Sequence, residues 1–221
     1  MNRALAKTPS TQRKNSHVFP WFMFAWRSWR LGEISACICF LGVLGGLARS
    51  TCTAASIYPD RYDRDIEQAA ERYIPGVDWR LLKAQYYQES KLDPAAVSPV
   101  GAAGIAQFMP GTWAEVSRQI GAGQISPHMA EPAIEAGAYY MAQLRKSWSA
   151  PRPEADRHSL ALASYNAGLG NLLKAQKKAG GAPDYAHIIQ RLPEVTGRYA
   201  QETTIYVTRI WGYWTQMLLL A

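Results

Sequence analysis

The stretch "QYYQESKLDP", residues 85–94, sets a charged Glu89 at the end of a run that otherwise reads as apolar helix. Asp78 is a good N-cap ahead of Trp79, and Val77 before it is placed to staple against Leu82. Trp79, Leu82, Tyr86 and Glu89 follow at intervals of three, four and three, which is a single helical face. Asp93-Pro94 predicts the stop, since the residue before proline avoids helical geometry. Glu89 therefore shares the core-facing stripe and lies in the last turn. Desolvation and the negative end of the helix dipole both disfavour its ionised form. Its pKa is expected to rise toward the range useful to a general acid. The competing expectation is structural: a carboxylate at the rim of the core, or one paired with Lys83 or Lys91.

Helical periodicity continues outward from this stretch, and no strand-like alternation persists for long. Ile66, Ala69, Ala70 and Tyr73 predict a helix before it, ending at Pro75-Gly76. "GAAGIAQFMPG", residues 101–111, is rich in small residues and predicts one short helix between turns. Thr112 and Glu115 form a capping-box pattern opening a helix at Trp113. Pro132 fits the first position of a longer helix carrying Ile134, Ala138, Met141, Leu144 and Trp148. "APRP" at 150–153 is a break, residues 159–167 are helical with Gly168 as the stop, and 180–183 form a loop. "TTIYVT" is locally ambiguous, yet Tyr206, Ile210, Tyr213 and Met217 keep helical spacing. The expected fold class is mainly α.

The formal charge of +7 is concentrated in residues 1–55, which carry +6 and leave only +1 for residues 56–221. A basic tail without an aromatic-and-basic stripe elsewhere argues against nucleic-acid binding. Residues 1–55 read instead as a basic, aromatic and apolar signal peptide or membrane anchor. The apolar run "ISACICFLGVLGGLA" has 15 residues. As helix it would rise roughly 22 Å, short of a hydrocarbon core of roughly 30 Å. That shortness, and the small residues Thr53-Ala54-Ala55 ahead of Ser56, favour a cleaved signal. The long basic region before it suits a retained anchor in which Arg49 snorkels. Either form places residues 56–221 outside the cytoplasmic membrane, in the periplasm or cell envelope. Cys37, Cys39 and Cys52 all lie in the leader, so a cysteine nucleophile or cysteine-ligated metal is excluded beyond it. His128, His158 and His187 lack ligand spacing, and no metal or other cofactor is expected.

Three further stretches bear on Glu89: "SPVGAAGIAQFMPGTW" at 98–113, "SYNAG" at 164–168 and "ETTIYV" at 202–207. With Glu89-Ser90 they resemble, in order and spacing, the catalytic domain of the soluble-type lytic transglycosylases. The resemblance implies a lysozyme-like helical fold, related to goose-type lysozyme, and a muramidase acting on peptidoglycan glycan strands. On it, Glu89 matches the single catalytic acid, and Ser98, Gln107 and Met109 match residues lining the sugar cleft. Residues 104–107 read Gly-Ile-Ala-Gln where the family has Gly-Leu-Met-Gln, which spares the glutamine. Tyr165 and Asn166 match the Tyr-Asn-Ala-Gly motif beneath the carboxyl, and Glu202 and Tyr206 the final Glu-Thr-x-x-Tyr-Val motif.

These residue types suit the chemistry. Breaking a glycosidic bond needs a proton on the leaving oxygen while positive charge develops at the anomeric carbon. Glu89 can supply that proton, Gln107 and Ser98 can hydrogen-bond the glycan, and Gly101 and Gly104 allow close approach of the backbone. Tyr165 is expected to hold the carboxyl and Tyr206 to line the cleft. No convincing second carboxylate appears: Asp93 belongs to a turn, Glu115 to a cap, and Glu202 suits a supporting role that tunes or orients the site. The family's one-acid scheme, implied by the resemblance, has Glu89 act as acid and then as base on the muramic-acid C6 hydroxyl. That closure yields a 1,6-anhydro sugar. Two alternatives stay open: a hydrolytic muramidase on the same fold, and an inactive peptidoglycan-binding module of a secretion system. A secretion or conjugation apparatus is a conceivable partner, as is the membrane through an uncleaved leader.

Overall fold

Helix α2, Trp79–Ser90, sits between α1 (Asp63–Tyr73) and α9 (Ala200–Leu219) in a computed structural model that describes residues 57–220. The leader and its alternatives lie outside the described residues. Between α2 and α9 run α3 (Pro110–Gln119), α4 (Ala130–Ser147), α5 (Glu154–Ala167), α6 (Leu169–Lys178), α7 (Tyr185–Arg191) and the single turn α8 (Pro193–Thr196). Helix α4 packs on α1 and α5, and α5 packs on α6 and α9, so α5 and α2 both rest against α9. Among the described residues there is no strand beyond two isolated bridges. None of the described helices is long and apolar enough to cross a membrane.

The core follows the predicted stripes. Ile66, Leu82, Tyr86, Ile134 and Met141 are all fully buried, as are Ala138, Leu144 and Trp148, and α5 adds Leu160 and Leu162, for which no stripe is predicted. Asp78 caps α2 as expected, its carboxylate accepting the Arg80 N–H at 2.9 Å. Tyr86 donates to the Ile134 carbonyl at 2.6 Å, which ties α2 to α4 and satisfies the one polar atom of a fully buried ring.

Four boundaries differ from the sequence expectation. Helix α2 stops at Ser90, before Asp93-Pro94, because Lys91 and Leu92 both turn left-handed at φ 60° and 64°. The Lys91 N–H closes on the Tyr87 carbonyl and the Leu92 side chain is drawn into the core, so burial sets the stop. Residues 101–111 hold no separate helix. Ala103 and Phe108 exchange both backbone hydrogen bonds at 3.0 Å and enclose a tight turn, with Gln107 at φ 48°. Helix α3 opens at Pro110 rather than Trp113, since proline lacks only an N–H that has no partner in a first turn. Thr112 is therefore inside the helix. Pro132 is the third residue of α4, a place where the same missing N–H is equally harmless. Helix α5 begins at Glu154, and α6 to α8 occupy stretches for which the sequence suggested no element.

Gly104 is needed for the turn rather than for a sugar. It sits at φ 77°, and a Cβ there would fall 1.9 Å from the Pro127 carbonyl oxygen. Gly101 has φ 86° but open space around it. Gly104→Ala should therefore lower the thermal midpoint well beyond Gly101→Ala, which meets backbone strain alone of about 1–2 kcal/mol. Calorimetry of the two variants checks this. Equal shifts would mean that the Pro127 contact does not constrain the turn.

Candidate active site

Glu89 occupies the last turn of α2, on the side facing α9 and the 103–108 turn. Tyr206, buried on α9, donates its hydroxyl hydrogen to Glu89 Oε1 at 2.5 Å. Glu89 is half-buried as a residue while its carboxyl lies deeper. Desolvation pushes its pKa up from 4.5 to about 8, against the smaller lowering effect of the Tyr206 bond. Burial is the cause: no neighbouring charge contributes. The phenols of Tyr86, Tyr165 and Tyr206 surround the carboxyl. Desolvation raises each of them well above the usual range, and a charge on Glu89 raises them further. The site thus holds one protonated carboxyl among protonated phenols.

The remaining motif residues mostly hold the 103–108 turn against that carboxyl. Ser90 Oγ donates to the Ile105 carbonyl at 2.9 Å, and Tyr165 donates to the Ala106 carbonyl at 2.7 Å. Gln107 Nε2 donates to the Gly104 and Ala96 carbonyls at 2.9 and 3.2 Å, leaving Oε1 as its remaining polar group. Ser98 Oγ accepts the Ala102 N–H at 2.9 Å and keeps a hydroxyl hydrogen to give. Met109 is buried as the residue that caps α3. Asn166 Oδ1 accepts from Thr203 at 2.8 Å and pins α5 to α9.

Two expected roles change. Tyr206 holds the carboxyl, and Tyr165 supports the turn. The cause is the path of α9, which returns alongside α2 and brings its buried face to Glu89, while α5 approaches from the side of the turn. Glu202 does not orient Glu89. It is half-buried, makes no hydrogen bond among the described residues, and has its pKa raised by burial alone. Asp93 closes a turn by accepting the Ala95 N–H at 2.8 Å. Glu115, expected in a capping box, accepts from Gln119 instead. Among the described residues no cluster of His, Cys, Asp and Glu could hold a metal ion. Gln85, one turn before Glu89, is fully buried and was not a predicted site residue. Its i,i+4 spacing from Glu89 is the signal that marks it.

The transglycosylase SLT domain family matches residues 66–188, more than half of the chain, from within α1 to within α7. The chain belongs to that family. It is 38% identical over 139 residues to the membrane-bound lytic murein transglycosylase F of Pseudoalteromonas translucida, covering 60% of this chain and 28% of that protein. An inactive mutant of lytic transglycosylase Slt from Pseudomonas aeruginosa superposes with a TM-score of 0.58 at 27% identity, covering 73% of this chain and 25% of that one. The 70 kDa soluble lytic transglycosylase of Escherichia coli gives 0.56 at 26% identity, over 71% and 24%. The SLT chain thus spans about a quarter of the length of these relatives, with the lysozyme-like helical domain as the shared part.

A carboxyl with a raised folded pKa leaves a signature in stability. Between the unfolded value of 4.5 and the folded value of about 8, the folded protein holds a proton that the unfolded chain has lost. Stability contributed by this group is present below about pH 4.5 and is lost as pH rises to about 8. Glu89→Gln has no proton to lose. Its thermal midpoint should gain on that of the wild type progressively across this window. Parallel profiles would show that Glu89 is ordinary in the folded state.

Proposed function

We propose that residues 56–221 form a peptidoglycan lytic transglycosylase domain, with Glu89 as its single catalytic acid and base. One observation carries this reading: a buried carboxyl held protonated near neutral pH, with no second carboxylate acting on it. Protonated Glu89 gives its hydrogen to the glycosidic oxygen between N-acetylmuramic acid and N-acetylglucosamine as the bond to the anomeric carbon breaks. Tyr206 keeps its own proton and stabilises the carboxylate left behind through their hydrogen bond. That carboxylate then takes the proton of the muramic-acid C6 hydroxyl, and O6 bonds to C1. The acid is regenerated and no water is consumed.

Closure within one sugar removes the need for a base that activates water, because holding O6 near C1 makes the second step unimolecular. The 103–108 turn supplies the opposing wall, with Gln107 Oε1 and the Ser98 hydroxyl as the groups free to meet N-acetyl and hydroxyl groups. Membership of the SLT family supports the substrate class. The membrane-bound murein enzymes among its relatives support a place in the cell envelope, where the leader would deliver it.

Mass spectrometry of muropeptides released from intact sacculi tests the reaction. The expected products end in 1,6-anhydro-N-acetylmuramic acid and carry no oxygen from labelled water. Bulk reducing-end products with labelled oxygen would make the domain a hydrolase. An absence of any release by the folded protein would leave it a binding module.

A further inference from the structure

Gln85 is fully buried on α2, and neither its amide nitrogen nor its amide oxygen has a hydrogen-bond partner. Leaving such a group unsatisfied costs about 1–3 kcal/mol, and an apolar side chain of similar shape would avoid that cost. The residue stands one turn before Glu89 on the same helix face, against α9. Its neighbour there is the Tyr206 hydroxyl. The amide is close enough to act on that hydroxyl in the sense that favours the ionised phenol, yet it completes no hydrogen bond with it. Gln85, Tyr206 and Glu89 therefore form a row in which only the second link is made.

We propose, on the transglycosylase reading above, that Gln85 is a positioning residue whose amide donates to the Tyr206 oxygen once Glu89 has become a carboxylate. In the resting state Glu89 is protonated and the amide stands idle. When the carboxyl gives its proton to the leaving oxygen, its negative charge draws the Tyr206 hydrogen, and the phenol oxygen becomes a better acceptor. Hydrogen bonds in such a chain strengthen one another in a low-dielectric site. An amide already in place can then turn to the phenol without admitting water. Tyr206 stays protonated throughout, and Gln85 touches no substrate. The groups facing Glu89 are Tyr86 on its own helix, Tyr165 from α5 and Tyr206 from α9, with no charged side chain contributing. Glu202, one turn before Tyr206, is shifted by its own burial and not by Glu89.

Gln85→Leu and Gln85→Met remove the amide and keep the volume apolar, so both should fold with stability equal to or above the wild type. Two readouts follow. With a soluble peptidoglycan fragment, kcat should fall about tenfold, the worth of one ordinary hydrogen bond, with KM unchanged. In the ligand-free protein, the Glu89 carboxyl titration should move to higher pH by about half to one unit, because the carboxylate has lost support. In a Tyr206→Phe background, either Gln85 variant should add nothing to either effect, since the link through which it acts is gone. Full activity and an unmoved Glu89 titration in both variants would overturn the proposal, as would losses that simply multiply with Tyr206→Phe. A wild type that cleaves no peptidoglycan, together with a Glu89 titration that still depends on Gln85 through Tyr206, would sustain the positioning role and overturn the reaction.

Discussion

A carboxyl that is to give up a proton near neutral pH must be held out of water without being sealed from its substrate. Burial of the Glu89 carboxyl meets the first demand, and the Tyr206–Glu89 hydrogen bond, which the surrounding helices are arranged to permit, holds the carboxyl in place. Tyr206 reaches Glu89 only because α9 lies along α2, and α9 is held there partly by α5 through Thr203 and Asn166. Burial of the carboxyl raises its pKa, while the phenol restrains that rise and keeps the ionised form attainable. A charged partner in place of the phenol would favour the carboxylate too strongly for it to act as an acid.

The second wall of the site is a turn with little regular structure of its own. The Gly104 carbonyl accepts the backbone N–H and the side-chain amide of Gln107 within the turn, while the Ile105 and Ala106 carbonyls are taken up from outside it by Ser90 of α2 and Tyr165 of α5. Buried backbone groups need such partners. This gives the Glu-Ser pair a physical meaning, since Glu89 supplies the buried carboxyl and the adjacent Ser90 fastens the turn beside it. Packing of Gly104 on the Pro127 carbonyl closes the turn from its other side.

The helical class, the buried face of α4 and the place of Glu89 were legible in the sequence because they follow from periodicity, whereas α2 and α5 are buried on nearly every side and show no single face. Asp78 and Gly168 acted as the helix-end signals they resemble. The starts at Pro110 and Ala130 differ from the expected ones by a few residues: Thr112 and Glu115 only imitate a capping box, and several first-turn positions tolerate Pro132 equally well. The 101–111 segment reads as one short helix between turns and forms the 103–108 turn instead: small residues suit both states, and the positive φ at Gln107 goes with side-chain bonds to the Gly104 and Ala96 carbonyls that spacing does not encode. The changed roles of Tyr165 and Tyr206 have the same origin. Each tyrosine was placed near the site by its motif, but which phenol meets the carboxyl depends on how α5 and α9 cross.

The most direct measurement is the titration of the Glu89 carboxyl itself, followed by carbon NMR in ligand-free protein labelled at glutamate, with Glu89→Gln identifying its resonance. A midpoint near 8, far above those of the exposed glutamates, is the predicted result. A midpoint near the ordinary 4.5 would mean that Glu89 is ionised at neutral pH, and it would contradict its role as the proton donor.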